Sequence, residues 1–152
     1  MPSDSWKCYN WFSGKSEERI LNWRRYRNSL SENPAAQVAA DWAECPTISN
    51  YLTHDNPADW PDAWQLISTG MYCDISVALG MFYTLYYSNY RHRDTMMLQC
   101  FKDQKNHQYL NLLILPQEQY MLNYSWGQVV NTSTIHSEVL LINTLTKNDL
   151  KI

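Results

Sequence analysis

Three residues in this sequence have the types and spacing for thiol chemistry: Cys73, His107 and Asn123. A cysteine nucleophile needs a thiolate, a base that holds or regenerates it, and a third group that orients the base. Cys73 follows a small-residue turn, Ser68-Thr69-Gly70, and stands where a long apolar run begins. Val77, Gly80, Met81 and Thr84 recur at helical spacing, with Ala78, Leu79, Phe82 and Leu85 on the flanks. A segment apolar on nearly every side belongs inside a core. The pattern predicts a buried helix with Cys73 in its first turn. Unpaired N–H groups and the macrodipole favour an anion there, which lowers a thiol pKa.

His107 is expected to open a strand just after the turn Asp103-Gln104-Lys105-Asn106, at a sheet rim. One helix and one return strand fit between it and Cys73. A hairpin through Pro116 then carries the chain back to Asn123, whose amide oxygen would accept the ring N–H. The turn is not central between the two, so a stagger or bulge is required. Each residue has a plainer account beside this one. Cys73 is then a buried helix cysteine, His107 a histidine capping a turn, and Asn123 a strand-edge amide. Asp74 would oppose a thiolate at Cys73 unless it points to solvent.

The elements that must position these groups follow from local pattern. Trp6 to Phe12 is an aromatic N-terminal arm. Ser13 to Ser31 is a helix, with Glu17 and Glu18 early and Arg24, Arg25 and Arg27 late, as the macrodipole prefers. Ile20, Leu21, Trp23 and Leu30 form its expected buried stripe, and the arginines a solvated face. Asn33-Pro34 opens a second helix, with Val38, Trp42 and Cys45 on one side and Pro46 at its end. Thr47 to Asp59 is a connector in which His54 reads as a surface residue. A short helix from Asp59 through Leu66 delivers the chain to Gly70. His92, between two arginines, also reads as surface. From Asp94 the periodicity becomes two, giving strands over Met96–Cys100, His107–Leu115 and Tyr120–Trp126, with a fourth within Thr134–Leu145. Helices followed by an antiparallel meander make an α+β domain: N-terminal helices and a central buried helix packed on a small sheet. A single domain over 1–152 is expected, helical over 1–58 and a helix-plus-sheet core over 59–145.

The chain has 152 residues, enough for one domain with a real core, and a net charge of −3. That charge argues against binding nucleic acid through phosphate contacts. Seven Trp, eleven Tyr and three Phe point to an aromatic-filled core, or else to an aromatic-lined cleft. The four cysteines, Cys8, Cys45, Cys73 and Cys100, form no C-x-x-C pair, so a zinc ribbon is not supported. A metal site on His107 with His92 or His136 lacks ligand spacing, and no cofactor is called for. No signal peptide and no membrane-length apolar stretch is evident, so a cytoplasmic, reduced protein is expected.

From Gln65 to Trp126 the order of groups resembles the transglutaminase-like superfamily of papain-type cysteine enzymes. Gly70-Met71-Tyr72-Cys73 looks like that family's Gly-x-Cys turn with one extra residue. The resemblance implies Cys73 as nucleophile, His107 as general base and acid, and Asn123 as the orienting group. Most members carry Asp in the third place; Asn resembles the papain arrangement. Members hydrolyse or transfer acyl groups on amides, which implies a protein or peptide substrate. The oxyanion would meet the Cys73 backbone N–H and a side-chain donor from Gln65 or Trp64. Peptidase or amidase chemistry through a Cys73 thioester is favoured over cross-linking, since nothing selects an amine acceptor. Acyl-CoA-dependent cysteine acyltransferases share the order of groups. The competing expectation is a silent scaffold that binds partners, with Trp6, Trp11, Tyr86, Tyr87 and Tyr90 as interaction aromatics.

Overall fold

The computed structural model describes residues 11–135 and 138–152. Cys8, His136 and most of the N-terminal aromatic arm lie outside the described residues. Within them, four α-helices precede five strands: α1 (Ser16–Arg27), α2 (Pro34–Trp42), α3 (Ala63–Thr69), α4 (Asp74–Tyr86), then β1 (Met97–Asp103), β2 (Gln108–Leu115), β3 (Tyr120–Ser125), β4 (Gln128–Asn131) and β5 (Val139–Leu145). The strands form one antiparallel sheet in the order β4-β3-β2-β1-β5, with β2 central. The helices pack against that sheet, so the fold is α+β.

The central helix α4 is buried on all sides from Ile75 to Leu85. Two contacts explain how neighbours come so close to it. Gly80 has no side chain because the Trp42 indole lies over it: a Cβ there would meet the ring at 2.2 Å. One turn on, the Thr84 hydroxyl accepts from the indole N–H groups of both Trp23 (3.0 Å) and Trp42 (3.1 Å), and donates to the Gly80 carbonyl (2.7 Å). One buried hydroxyl thus ties α1 and α2 to α4 and satisfies two indole donors that would be costly to leave unpaired.

The first helix is shorter than its sequence pattern; Trp23, Ile20 and Leu30 pack on the core as expected, but Leu21 does not. Leu21 is 46% exposed, whereas Trp23 and Tyr26 are fully buried. Tyr26 donates to the Asp41 carboxylate (2.8 Å), a buried pair that holds α1 to α2. Arg24 and Arg25 face solvent as expected. Arg27 does not; its guanidinium lies over the Trp23 ring, 4.6 Å from the centroid. Arg19 caps the C-terminal end of α3 by donating to the Ile67 carbonyl (3.2 Å) and to that of Ser68. Gly70 ends α3 in a left-handed conformation (φ 73°) and turns the chain into Cys73.

Strands β1 to β3 fall close to the segments expected for them. The sheet is larger by one strand than the sequence suggested, because Gly127 makes a tight turn into the short β4. His107 is not the first residue of β2. It sits in the β1–β2 turn with a left-handed backbone (φ 58°), and Gln108 pairs with Asp103 at the start of the ladder.

Candidate active site

Cys73 is the N-cap of α4, with an extended backbone (φ −91°, ψ 176°). This places its sulfur over the first turn of a helix, as anticipated. The residue is 1% exposed. Ser76, in the N3 position, accepts from the Cys73 N–H through its hydroxyl oxygen (2.7 Å). That oxygen lies 3.5 Å from the sulfur. A serine three residues past an N-cap is the capping-box spacing, so Ser76 was legible as a partner of Cys73.

A segment between α2 and α3 covers the sulfur. It runs beside Tyr72: the Tyr72 N–H donates to the Pro46 carbonyl (3.0 Å) and the Ile48 N–H to the Tyr72 carbonyl (3.0 Å). Tyr51 then donates its phenol proton to the Met71 carbonyl (3.0 Å) and stands 3.2 Å from the Ser76 hydroxyl. Burial pushes the Cys73 thiol up, but hydrogen bonds from the Tyr51 and Leu52 backbone and from the Ser76 hydroxyl and N–H outweigh it. The thiol is left below its ordinary value. The other two described cysteines behave oppositely. Burial pushes Cys45 up to about 12 and Cys100 up to about 11, the latter with help from the Asp74 charge. All three are free thiols.

The sheet meets the helix tip through amides. Asn111 of β2 donates to the Asp74 carboxylate (2.8 Å). Asn123 of β3 donates to the same carboxylate (3.0 Å) and to the Asn111 carbonyl (2.9 Å). By strand alternation Asn123 should face away from α4, since Leu122 beside it is in the helix-facing core. Its left-handed backbone (φ 72°) breaks the alternation and swings the side chain inward. The β3–β4 register shifts between Met121 and Ser125, around this residue. The left-handed backbone brings Asn123 to Asp74 rather than to His107, and the Asn123 amide oxygen is buried without a hydrogen-bond partner among the described residues. Asp74 does not point freely to solvent; two amides hold it against the sheet.

The β2–β3 register explains why His107 is elsewhere. Leu113 pairs with Leu122 and Leu115 with Tyr120 around a tight turn, which puts Asn123 beside the Asn111 end of β2. His107 is solvent-exposed in the hairpin turn, about 13 Å farther along at ~3.3 Å per residue. The β2 side chain that meets the helix tip is Asn111. The pattern Tyr109, Asn111, Leu113 marked its face, but nothing in the sequence gave the register.

The two side-chain oxyanion candidates also lie elsewhere. Gln65 accepts from the Asp62 N–H (3.0 Å) in the capping box that starts α3. Trp64 packs edge-on to Tyr87, 5.1 Å between centroids, at the far end of α4. That end is about 20 Å from Cys73 at ~1.5 Å per residue. The Cys73 N–H is taken by Ser76; the donors that face the sulfur are the Ser76 hydroxyl and N–H together with backbone groups of the covering segment.

No helix among the described residues is long and apolar enough to cross a membrane. No family model matches the sequence, and no curated protein matches it. Among solved structures the chain is similar to LapG of Legionella pneumophila, at a TM-score of 0.68 and 14% identity, covering 93% of this chain and 82% of LapG. Identity that low speaks to architecture alone: the chain has an α+β fold related to that of LapG, a protein of the transglutaminase-like fold.

Proposed function

We propose that this protein is a thiol-dependent acyl-transfer enzyme acting on an amide or peptide bond, a peptidase or amidase working through a thioester on Cys73. The observation that carries this reading is the contrast among the thiols. Cys73 alone of the three described cysteines is held below its ordinary value, at the tip of a buried helix. The fold shared with LapG, a cysteine protease, supports it. In the first half-reaction the sulfur bonds the carbonyl carbon, the C–N bond breaks, and the amine leaves with one proton. In the second, water adds to the thioester carbon, the C–S bond breaks, and the acid departs as the thiolate returns.

The test is a search for the thioester. Short 4-nitrophenyl esters are mixed with the protein, quenched in acid, and followed by intact mass. The reading expects an acyl adduct on Cys73 that forms and decays, and none in Cys73→Ala. No adduct on Cys73 at any time would overturn it.

A second reading is favoured by Asn111. An amide stands where a strand-borne imidazole would face the helix tip, as in a scaffold that binds partners without turnover. An adduct that forms on Cys73 but never decays supports that scaffold.

A further inference from the structure

We propose that the imidazole serving Cys73 is His54, on the segment that covers the sulfur, and not a residue of the β-hairpin. The inference rests on the acyl-transfer reading of Cys73. Leu52, two residues earlier, directs its backbone N–H at the sulfur. Two residues span at most about 7 Å, and an N–H to sulfur contact adds about 4 Å, so the His54 Cα lies no more than about 11 Å from that sulfur.

Two contacts place His54 against the same wall as Asn111. Its ring stacks on Tyr109, 4.3 Å between centroids. Tyr109 and Asn111 are alternate residues of β2 and share the helix-facing side. Its carbonyl accepts from the Asn143 side chain (3.0 Å). Asn143 of β5 lines a small cavity with Trp60, Ile75, Cys100 and Asn111. The backbone of His54 is thus anchored to the sheet while its ring is held by one aromatic face.

Charged groups stand around that ring. Lys102 of β1 stands over the same Tyr109 ring, 5.6 Å from the centroid. Asp55 follows His54 in the chain, and Asp74 lies at the helix tip. A protonated His54 is repelled by Lys102 and attracted by a Cys73 thiolate and by Asp74. His54 takes the thiol proton from Cys73 and gives it to the amine as the C–N bond breaks. The neutral ring then takes a proton from the water that adds to the thioester. Release of the acid returns the thiolate and imidazolium pair.

The experiment is the rate of iodoacetamide alkylation at Cys73, resolved by peptide mass, from pH 5 to 9, in the full chain and in His54→Gln and His107→Gln. An imidazolium partner keeps the thiolate populated in acid. The wild type and His107→Gln should therefore stay reactive at pH 6, and His54→Gln should fall by at least about tenfold there, with rates converging at pH 9. A His54→Gln rate raised at every pH would mean only a loosened cover and would overturn the proposal. So would loss at pH 6 in His107→Gln, or in neither variant, while the reactive thiol itself stood. A wild-type Cys73 no faster than Cys45 and Cys100 would instead remove the acyl-transfer reading on which this rests.

Discussion

Asn111 donates its side-chain amide to the Asp74 carboxylate at 2.8 Å, one residue beyond Cys73. A strand-borne amide therefore pins the first residue of the buried helix. Asp74 is exposed, so the bond is worth less than a fully buried one. Asn111→Ala is expected to cost about 1 kcal/mol in urea denaturation and to leave the fold intact. A loss below the error of the measurement would show that the contact does not position the tip.

Asn123 reaches the same carboxylate only through its left-handed backbone. Asparagine tolerates that conformation better than alanine does, and glycine better still. Asn123→Ala should therefore be less stable than Asn123→Gly by about 1 kcal/mol, although both lose the amide. Equal melting temperatures for the two would contradict the role given to the left-handed backbone.

Thr84 is the hydroxyl on which Trp23 and Trp42 both depend. Thr84→Val keeps the shape and removes the acceptor, leaving two buried indole N–H groups unpaired. At about 1–3 kcal/mol for each such group, a loss of about 2–6 kcal/mol is expected. Near-zero change would mean that the indoles find other acceptors.

Much of this was legible from pattern. The run Ile75–Leu85 marked the buried helix because no face of it is polar. Asn33-Pro34 marked the start of α2, and Asp103 to Asn106 with Pro116 to Gln119 bracketed β2. Register was not legible. A histidine at the end of a strand pattern and an asparagine within it have equal claims on a helix tip until the hairpin turn sets which one arrives there. Arg19 and Tyr51 were also hidden, because each acts on backbone carbonyls far away in sequence. The stripe expected on the first helix is present at Trp23, Ile20 and Leu30 and fails only at Leu21, because the larger Tyr26, three residues from Trp23, takes the buried place.

Cys45 has a bearing on stability at high pH. Its folded-state value, about 12, lies above its ordinary value of 9.0 because burial penalises the thiolate. The folded form thus holds its proton more tightly than the unfolded form does. Its contribution is fully present below about pH 9 and is lost as pH rises toward about 12. Unfolding free energy should decline across that window, at up to about 1.4 kcal/mol per pH unit for one group. Cys45→Ala should make the decline shallower. An unchanged slope would assign the effect to the buried tyrosines.

The central claim is that Cys73 carries the reactive thiol, and competitive alkylation at pH 7 tests it most directly. The native protein is treated with a limiting amount of iodoacetamide, and modification at each cysteine is followed over time by peptide mass. Cys73 should label at least about tenfold faster than Cys45 and Cys100, whose thiols burial keeps protonated. Labelling of Cys73 at or below the rate of those two would contradict the account.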